Sequence, residues 1–419
     1  MQRDQIQLQV CSVFLLVLST AAIAAPATKS KGANVPNPTA AAAPKQEADS
    51  IKFSWQVETG LGYDSNVFRA HDSAYVDYAA IPTGSNPTVV PQKSSGFFVP
   101  YKARAEAEKR HDLDGKLIGS ATVSGRFYAG GLSKADEFGL QLNGGSEFDL
   151  GKNGAKPKAY LGVLYVQQRK TYVDHDSGAE KTTSAGTDIS NRYNYSAMGV
   201  EAEYRNKVGS FDYKVKTLYQ LRDYDDPVVV SQMDHKYLML GADVDYSLSK
   251  AIELQFSGTH STRDYSDRHA RRADGVYSSA NPLLKYTYDD LGVSLRNRAM
   301  EDWVYFVDYD FSKRVDGYVN YNDYTQQRFG GRLTYGQGAI KGRASLHFWR
   351  RDYSHAYAYD IVGQPAMTYN GSDLKLKAEY AQTKALSYWA EAVIDRQISS
   401  DLRYDFDRMQ IMAGVSWEQ

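Results

Sequence analysis

An all-β, transmembrane, antiparallel up-and-down β-barrel of about 18 strands, with 16 as the alternative count, is the fold class this sequence predicts. Three observations predict it. From residue 51 to the end, apolar and polar residues alternate with a period of two, and no long segment carries helical spacing. The alternating segments run about 10–16 residues, against about 5–6 for an ordinary strand. The connections switch between tight turns and long polar stretches, as short periplasmic turns and long outer loops do in outer-membrane barrels. A soluble sandwich would alternate too, but would not need such length or such asymmetry. Closure comes from the solvent: in hydrocarbon a sheet edge would leave N–H and C=O groups unpaired.

The chain opens with an address. Residues 1–24 read as a secretory signal peptide: Arg3 near the start, the apolar run Cys11 to Leu18, and the small-residue cleavage site Ala22-Ile23-Ala24. The run is too short to cross a bilayer as a helix. Cys11 stands at the head of the apolar run, whereas a lipid-anchored Cys would follow it, and the mature chain is expected to lack cysteine. Residues 25–50, rich in Ala, Pro and Lys without apolar periodicity, read as a disordered periplasmic linker. Residues 51–419 are the barrel.

Within the barrel, Phe53, Trp55, Val57, Thr59, Leu61 and Tyr63 alternate with polar or Gly positions, and Tyr101, Ala103, Ala105 and Ala107 alternate with Lys102, Arg104, Glu106 and Glu108. Met198 to Arg205, Leu238 to Leu248 and Leu374 to Tyr380 repeat the pattern. The expected strands are 52–63, 96–110, 116–131, 136–151, 158–171, 192–206, 210–223, 234–248, 251–265, 276–290, 292–300, 302–314, 317–326, 327–336, 340–353, 370–382, 385–398 and 402–418. Turns are poorly marked between 276 and 336, which is where 16 could replace 18. Tight turns are expected at Asp112 to Gly115, Lys207 to Gly209, Ser249 to Ala251 and Thr383 to Ala385. The stretches 64–95, 173–191, 266–281 and 354–371 are outer loops, with 64–95 the longest and stiffened by Pro82, Pro87 and Pro91.

Composition narrows the function. Lys plus Arg number 49 against 50 Asp plus Glu, which argues against a nucleic-acid binder with a broad basic face. A single Cys excludes a disulfide framework and Cys-based zinc sites. The eight His show no metal spacing and none pairs recognisably with a nucleophile, so neither an enzyme nor a cofactor is expected. Asp174-His175-Asp176 and Asp223 to Asp226 read as solvated loop acids rather than cation ligands. Tyr, at 33 against 15 Phe, is in marked excess, and suits the lipid–water boundary as an aromatic girdle.

The polar face of each strand would line the lumen. The candidate lumen charges are Lys102, Arg104, Glu106, Glu201, Glu203, Lys214, Lys216, Lys375, Lys377 and Glu391. A hairpin whose pairs sum to 417 would set Glu203 opposite Lys214 and Glu201 opposite Lys216. One whose pairs sum to 768 would set Lys377 opposite Glu391. At the outer strand ends a short motif recurs as Arg222-Asp223-Tyr224, Arg263-Asp264-Tyr265 and Arg351-Asp352-Tyr353, with relatives at Arg169 to Tyr172 and Asn322 to Tyr324. Its Arg and Tyr are candidate rim contacts for saccharide. The simpler reading is a girdle Tyr beside rim charges facing lipopolysaccharide and water.

At the C-terminus Met409, Ile411, Ala413, Val415 and Trp417 alternate with polar or small residues, and Gln410, Val415 and Trp417 match the terminal-strand signal read by the barrel assembly machinery. Met412 stands where Gly is usual. Leu402, Tyr404 and Phe406 are out of phase with Met409 onward, which predicts a bulge or an extension above the membrane. The phrase Thr59 to Arg69 (TGLGYDSNVFR) resembles the opening of the type-2 β-barrel porins, several of them from exopolysaccharide secretion loci, and of the barrel half of surface lipoprotein assembly modifiers. The latter carry helical repeats that residues 25–50 cannot supply. The resemblance implies a stand-alone porin or polymer-export barrel in the Gram-negative outer membrane. Lipid and lipopolysaccharide would surround it, and periplasmic polysaccharide-export proteins would be its partners. A porin-like channel for a hydrophilic solute, saccharide or secreted exopolysaccharide, gated by residues 64–95, is the expected function. A structural or interaction barrel without an open channel is the alternative.

Overall fold

The computed structural model describes residues 50–78, 87–111, 115–151, 157–227, 229–230 and 232–419. The expected signal peptide, Cys11, all but the last residue of the expected linker, Pro82 and most of the turn at Asp112 lie outside the described residues.

Sixteen strands close on one another: β1 (Lys52–Asp64), β4 (Gly96–His111), β5 (Gly115–Tyr128), β6 (Glu137–Asp149), β7 (Lys158–Lys170), β8 (Tyr195–Val208), β9 (Phe211–Tyr224), β10 (His235–Ser247), β11 (Ile252–His269), β12 (Leu283–Met300), β13 (Trp303–Asp316), β14 (Tyr324–Gln337), β15 (Ile340–Tyr357), β16 (Ala366–Ala381), β17 (Leu386–Ser399) and β18 (Phe406–Glu418). Each pairs antiparallel with its neighbours, and β1 pairs with β18 from Gln56 opposite Glu418 to Asp64 opposite Gln410. Two further strands, β2 (Tyr75–Val76) and β3 (Thr88–Val89), form a small separate sheet in the first long loop. Among the described residues the strands number eighteen, of which sixteen make the wall.

The difference lies in two places. Spans 276–290 and 292–300 are one strand, β12, and spans 317–326 and 327–336 are one strand, β14. Gly292 suggests a turn in the sequence. In the fold it sits mid-strand because a side chain there would run into Ser257 and Asp310 on the flanking strands. Gly330, inside the expected span 327–336, lies under the His347 ring. Both glycines make room, and the alternation continues in phase through them: Leu291, Val293 and Leu295 stay exposed on one face. The phase slip before Met409 also has a cause, since Leu402–Tyr404 is a short 3-10 turn, begun by Asp401, before β18 starts at Phe406.

The exposed face is apolar, with Leu61, Leu161, Val163, Val200, Val215, Leu240, Leu291, Phe329 and Ile411 among its residues. The opposite face carries the charges. A closed barrel of this kind spans a membrane with its apolar face in lipid. Near the tight-turn end the outward face is aromatic: Phe211 stacks on Tyr246 at 4.6 Å, Trp303 meets Tyr335 at 4.6 Å, and Trp55 meets Trp417 at 5.4 Å. These rings form one girdle, as the Tyr surplus leads one to expect.

Candidate functional site

The inner face has three storeys. From the tight-turn end to the middle of the wall, charges pair across strands. Glu147 takes Lys158 at 2.7 Å, Lys116 at 3.8 Å and Arg205 at 3.7 Å. Asp243 is shared by Lys214 at 3.1 Å and Lys216 at 3.3 Å. His347 lies between Asp373 at 3.0 Å and Asp308 at 3.6 Å. A cavity of about 840 Å³ opens among these groups, with Asp243, Asp308, Arg328 and His347 on its wall.

All ten candidate lumen charges fall on this inward register. Lys377 lies opposite Glu391, but Glu391 binds Lys375, at 2.8 Å, while Lys377 rests over the Trp389 ring. The other hairpin is displaced by two residues from the expected register. Glu203 faces Lys216, Arg205 faces Lys214 and Glu201 faces Leu218, because the turn is the two-residue loop Gly209-Ser210 with Val208 opposite Phe211. Gly209 has φ 61°, which such a hairpin turn requires. The observed register moves the ion pairs: Glu203 binds Arg205 at 3.0 Å on its own strand, and the two lysines turn to Asp243. Arg104 and Glu106 pair with each other, and Lys102 borders the same wall opposite Ser124.

Above this storey lies a belt of arginine and tyrosine. The Arg and Tyr of each recurring motif are two apart and so share the inner face, while Asp223, Asp264 and Asp352 between them point outward. A lipid girdle would need the rings outside. Arg222 lies over Tyr195 at 5.5 Å and Tyr237 at 5.0 Å. Arg263 lies over Tyr237 at 6.0 Å and Tyr288 at 4.8 Å. Arg314 lies over Tyr286 and Tyr324, both at 4.5 Å, and Arg351 over Tyr324 at 4.6 Å and Tyr369 at 5.9 Å. From β8 to β16 the strands thus present Tyr and Arg by turns. Tyr224, Tyr265 and Tyr353 pack in this belt against other rings: Tyr195 at 5.1 Å, Tyr286 at 5.9 Å and Tyr324 at 5.4 Å. Sequence reading missed Arg314, Tyr237, Tyr288 and Tyr369, which lie outside any repeat of the motif. A search for Arg and Tyr on the inward parity of each outer strand end would have found them. The relative at Arg169 does not belong: its side chain points outward and pairs with Asp225.

The third storey is the loops, and it begins at the barrel seam. Asp64 is fully buried and accepts from Arg408 Nε at 3.1 Å on each oxygen, Tyr128 OH at 2.8 Å, Gln410 Nε2 at 2.8 Å and the Asn66 N–H at 3.0 Å. Asn66, also fully buried, closes the turn by donating to the carbonyls of Ala70 and Asp407, both at 2.9 Å. Gly62 leaves space for the Phe98 ring. The opening phrase of the barrel therefore has a structural job in nearly every residue. Gln410 serves this cluster from inside, whereas Val415 and Trp417 face lipid.

Beyond Asp64, Val67 and Phe68 turn inward onto Phe98 and Tyr128. The loop is then tied to its neighbours. Phe68 O meets His175 Nδ1 at 2.7 Å, Tyr75 OH donates to Asp176 at 2.5 Å, and Tyr78 packs on Tyr359 at 5.2 Å. His175 and Asp176 are thus tethers to the first loop, and Asp174 is bound within its own loop by Lys181 and Ser177. Burial alone would raise the Asp174 carboxyl, but Lys181 at 2.6 Å and Ser177 outweigh it and hold it below its usual range. On the other side Arg271 binds Asp360 at 2.6 Å, and Tyr321 OH reaches the same carboxylate at 3.2 Å. Burial would raise the Tyr277 phenol too, but Arg268 and Arg271 beside it draw it below its usual value. Among the described residues no group of His, Cys, Asp and Glu is arranged to hold a metal ion.

No family model and no curated protein matches the chain. Among solved structures it is similar to OmpT, an outer-membrane protein of Vibrio cholerae, at 12% identity and TM-score 0.47, over 90% of this chain and 99% of that one. An anion-selective porin from Comamonas acidovorans is similar at 10% identity and TM-score 0.46, over 88% and 100%. A bacterial polysaccharide outer membrane secretin is similar at 9% identity and TM-score 0.43, over 87% and 98%. The chain folds as a large closed antiparallel barrel that resembles these outer-membrane barrels.

Proposed function

We propose that the barrel is an outer-membrane channel for a hydrophilic solute, with saccharide or a secreted exopolysaccharide as its cargo. One observation carries this reading. A sixteen-strand wall encloses more space than its side chains fill, and its inner face is polar, with most mid-height charges engaged in ion pairs and a cavity of about 840 Å³ among them. Paired charges of both signs hydrate a solute and give the wall little net field. The first long loop, which turns inward at Val67 and Phe68 and is tied across the mouth through Tyr75 and Tyr78, is the constriction. Periplasmic polysaccharide-export proteins are the partners this reading expects.

The loop ties favour a second reading, a barrel whose mouth is held shut and whose outer loops bind a partner. Proteoliposome swelling separates the two. Entry of mono- and oligosaccharides, faster after excision of residues 71–93, supports the channel. Vesicles as impermeable to sugar as protein-free ones, with and without that segment, would leave only the second reading.

A further inference from the structure

The belt differs from the wall below it in one respect. Below, Lys214 and Lys216 share Asp243, and Arg328 reaches Asp310 and Asp373, both at 3.8 Å. In the belt, Arg222, Arg263, Arg314 and Arg351 have no carboxylate within ion-pair distance among the described residues. Their partners are neutral: Gln220 at 3.1 Å for Arg222, the Asn322 carbonyl at 2.6 Å for Arg314, and Gln326 at 2.9 Å for Arg351. Arg263 Nε is buried without a hydrogen-bond partner. Four guanidinium groups are thus held in place by ring faces and amides, without an ion pair on any of them among the described residues.

The geometry also decides what the belt can read. The tyrosine faces are occupied by guanidinium groups or other rings, so the belt is a poor platform for stacking a sugar ring. Stacking on tyrosine holds each guanidinium in a fixed plane; the amide contacts take up the Nε side of Arg222, Arg314 and Arg351, and the Nη1–Nη2 edge suits a two-point bond to a carboxylate. The four arginines stand on alternate strands, β9, β11, β13 and β15, so neighbours are roughly 10 Å apart at about 4.8 Å per strand. A small anion meets one of them. A chain with repeated carboxylates meets several at once and gains by avidity.

We propose that this arginine–tyrosine belt is a binding site for an acidic saccharide, recognised through its repeated carboxylates. The inference rests on the channel reading above and adds the charge class of the cargo. Of the six candidate rim contacts it gives the carboxylates to Arg222, Arg263 and Arg351, while Tyr224, Tyr265 and Tyr353 pack against other rings.

The test uses the purified full-length protein in a planar bilayer and in detergent, with trigalacturonate, maltotriose and tripolyphosphate as probes. The expected result is current block by trigalacturonate at a concentration at least about tenfold below maltotriose, weakening as KCl rises from 0.1 to 1 M. Arg263→Gln with Arg314→Gln should remove most of that difference, and the two Lys substitutions should restore only part of it. Equal block by the acidic and the neutral trisaccharide overturns the proposal, and so does tripolyphosphate acting as well as trigalacturonate. If no current is seen at all, the channel reading fails. Calorimetry in detergent then decides the belt alone, since trigalacturonate binding that the double Gln variant loses sustains it and its absence overturns it.

Discussion

Removing Arg408 should destabilise the barrel far more than removing Arg408 and Asp64 together. Asp64 is fully buried, and Arg408 supplies it with two Nε contacts at 3.1 Å and a shorter one from Nη2. Arg408→Met leaves the carboxylate with three neutral donors, Tyr128 OH, Gln410 Nε2 and the Asn66 N–H. Two charge-assisted bonds at roughly 1.5–3 kcal/mol each set the scale, and stranding one partner of a buried pair costs about 3–5 kcal/mol. Replacing both groups by apolar side chains, Asp64→Leu with Arg408→Met, removes the stranded charge. The double variant should therefore be more stable than Arg408→Met, with a coupling energy of about 2–3 kcal/mol. Because the pair joins β1 to β18 and roots the first loop, the single variant should also expose residues 65–70 to protease. The assay is urea unfolding in lipid vesicles, followed by tryptophan fluorescence and by heat-modifiable electrophoretic mobility. If Arg408→Met lies within about 1 kcal/mol of wild type, or if the two single effects simply add, the seam is not held in this way.

Three further outcomes rest on the same geometry. Val200→Arg places a charge on the lipid face, where Val200 is 55% exposed, and should cost up to about 2–4 kcal/mol, whereas Glu201→Ala next to it should change stability little; equal costs in vesicle unfolding would reverse the facing assigned to β8. Asp243→Asn leaves Lys214 and Lys216 unneutralised, so the reversal potential in a salt gradient should move toward anion preference, and a shift toward cations would contradict the shared pair. Burial pushes the Asp226 and Asp234 carboxyls above their usual range, so the stability they lend their loop is full below pH about 4 and is lost as pH rises through the raised values; protease cleavage of that loop should slow as pH falls from 7 to 4, and cleavage that quickens would show the sign is wrong.

The wall was legible because its cause is local. A period of two is visible in Leu238 to Leu248 without knowing any partner, and the same alternation places all ten lumen charges on one face. Strand number was less so, because a glycine that makes room for a neighbouring side chain, as Gly292 does for Asp310, reads like a glycine that turns the chain. Register failed at Glu203 by two residues and held at Lys377, and turn length is what separates them: Gly209-Ser210 makes the shortest hairpin, a choice that φ at Gly209 settles and the sequence around Lys207 leaves open. The belt was half visible, since three of its arginines repeat a local motif and Arg314 does not. Asp64 and Arg408 are 344 residues apart and meet only because the barrel closes, so nothing local to either could announce the pair.

A water-filled passage lined by paired charges is the property on which the channel reading stands or falls. Single-channel recording of the purified protein in a planar bilayer decides it. A passage of this kind should give stepwise currents in KCl and larger steps when residues 71–93 are excised. A bilayer that stays electrically silent with correctly folded protein, both with that loop and without it, would contradict it.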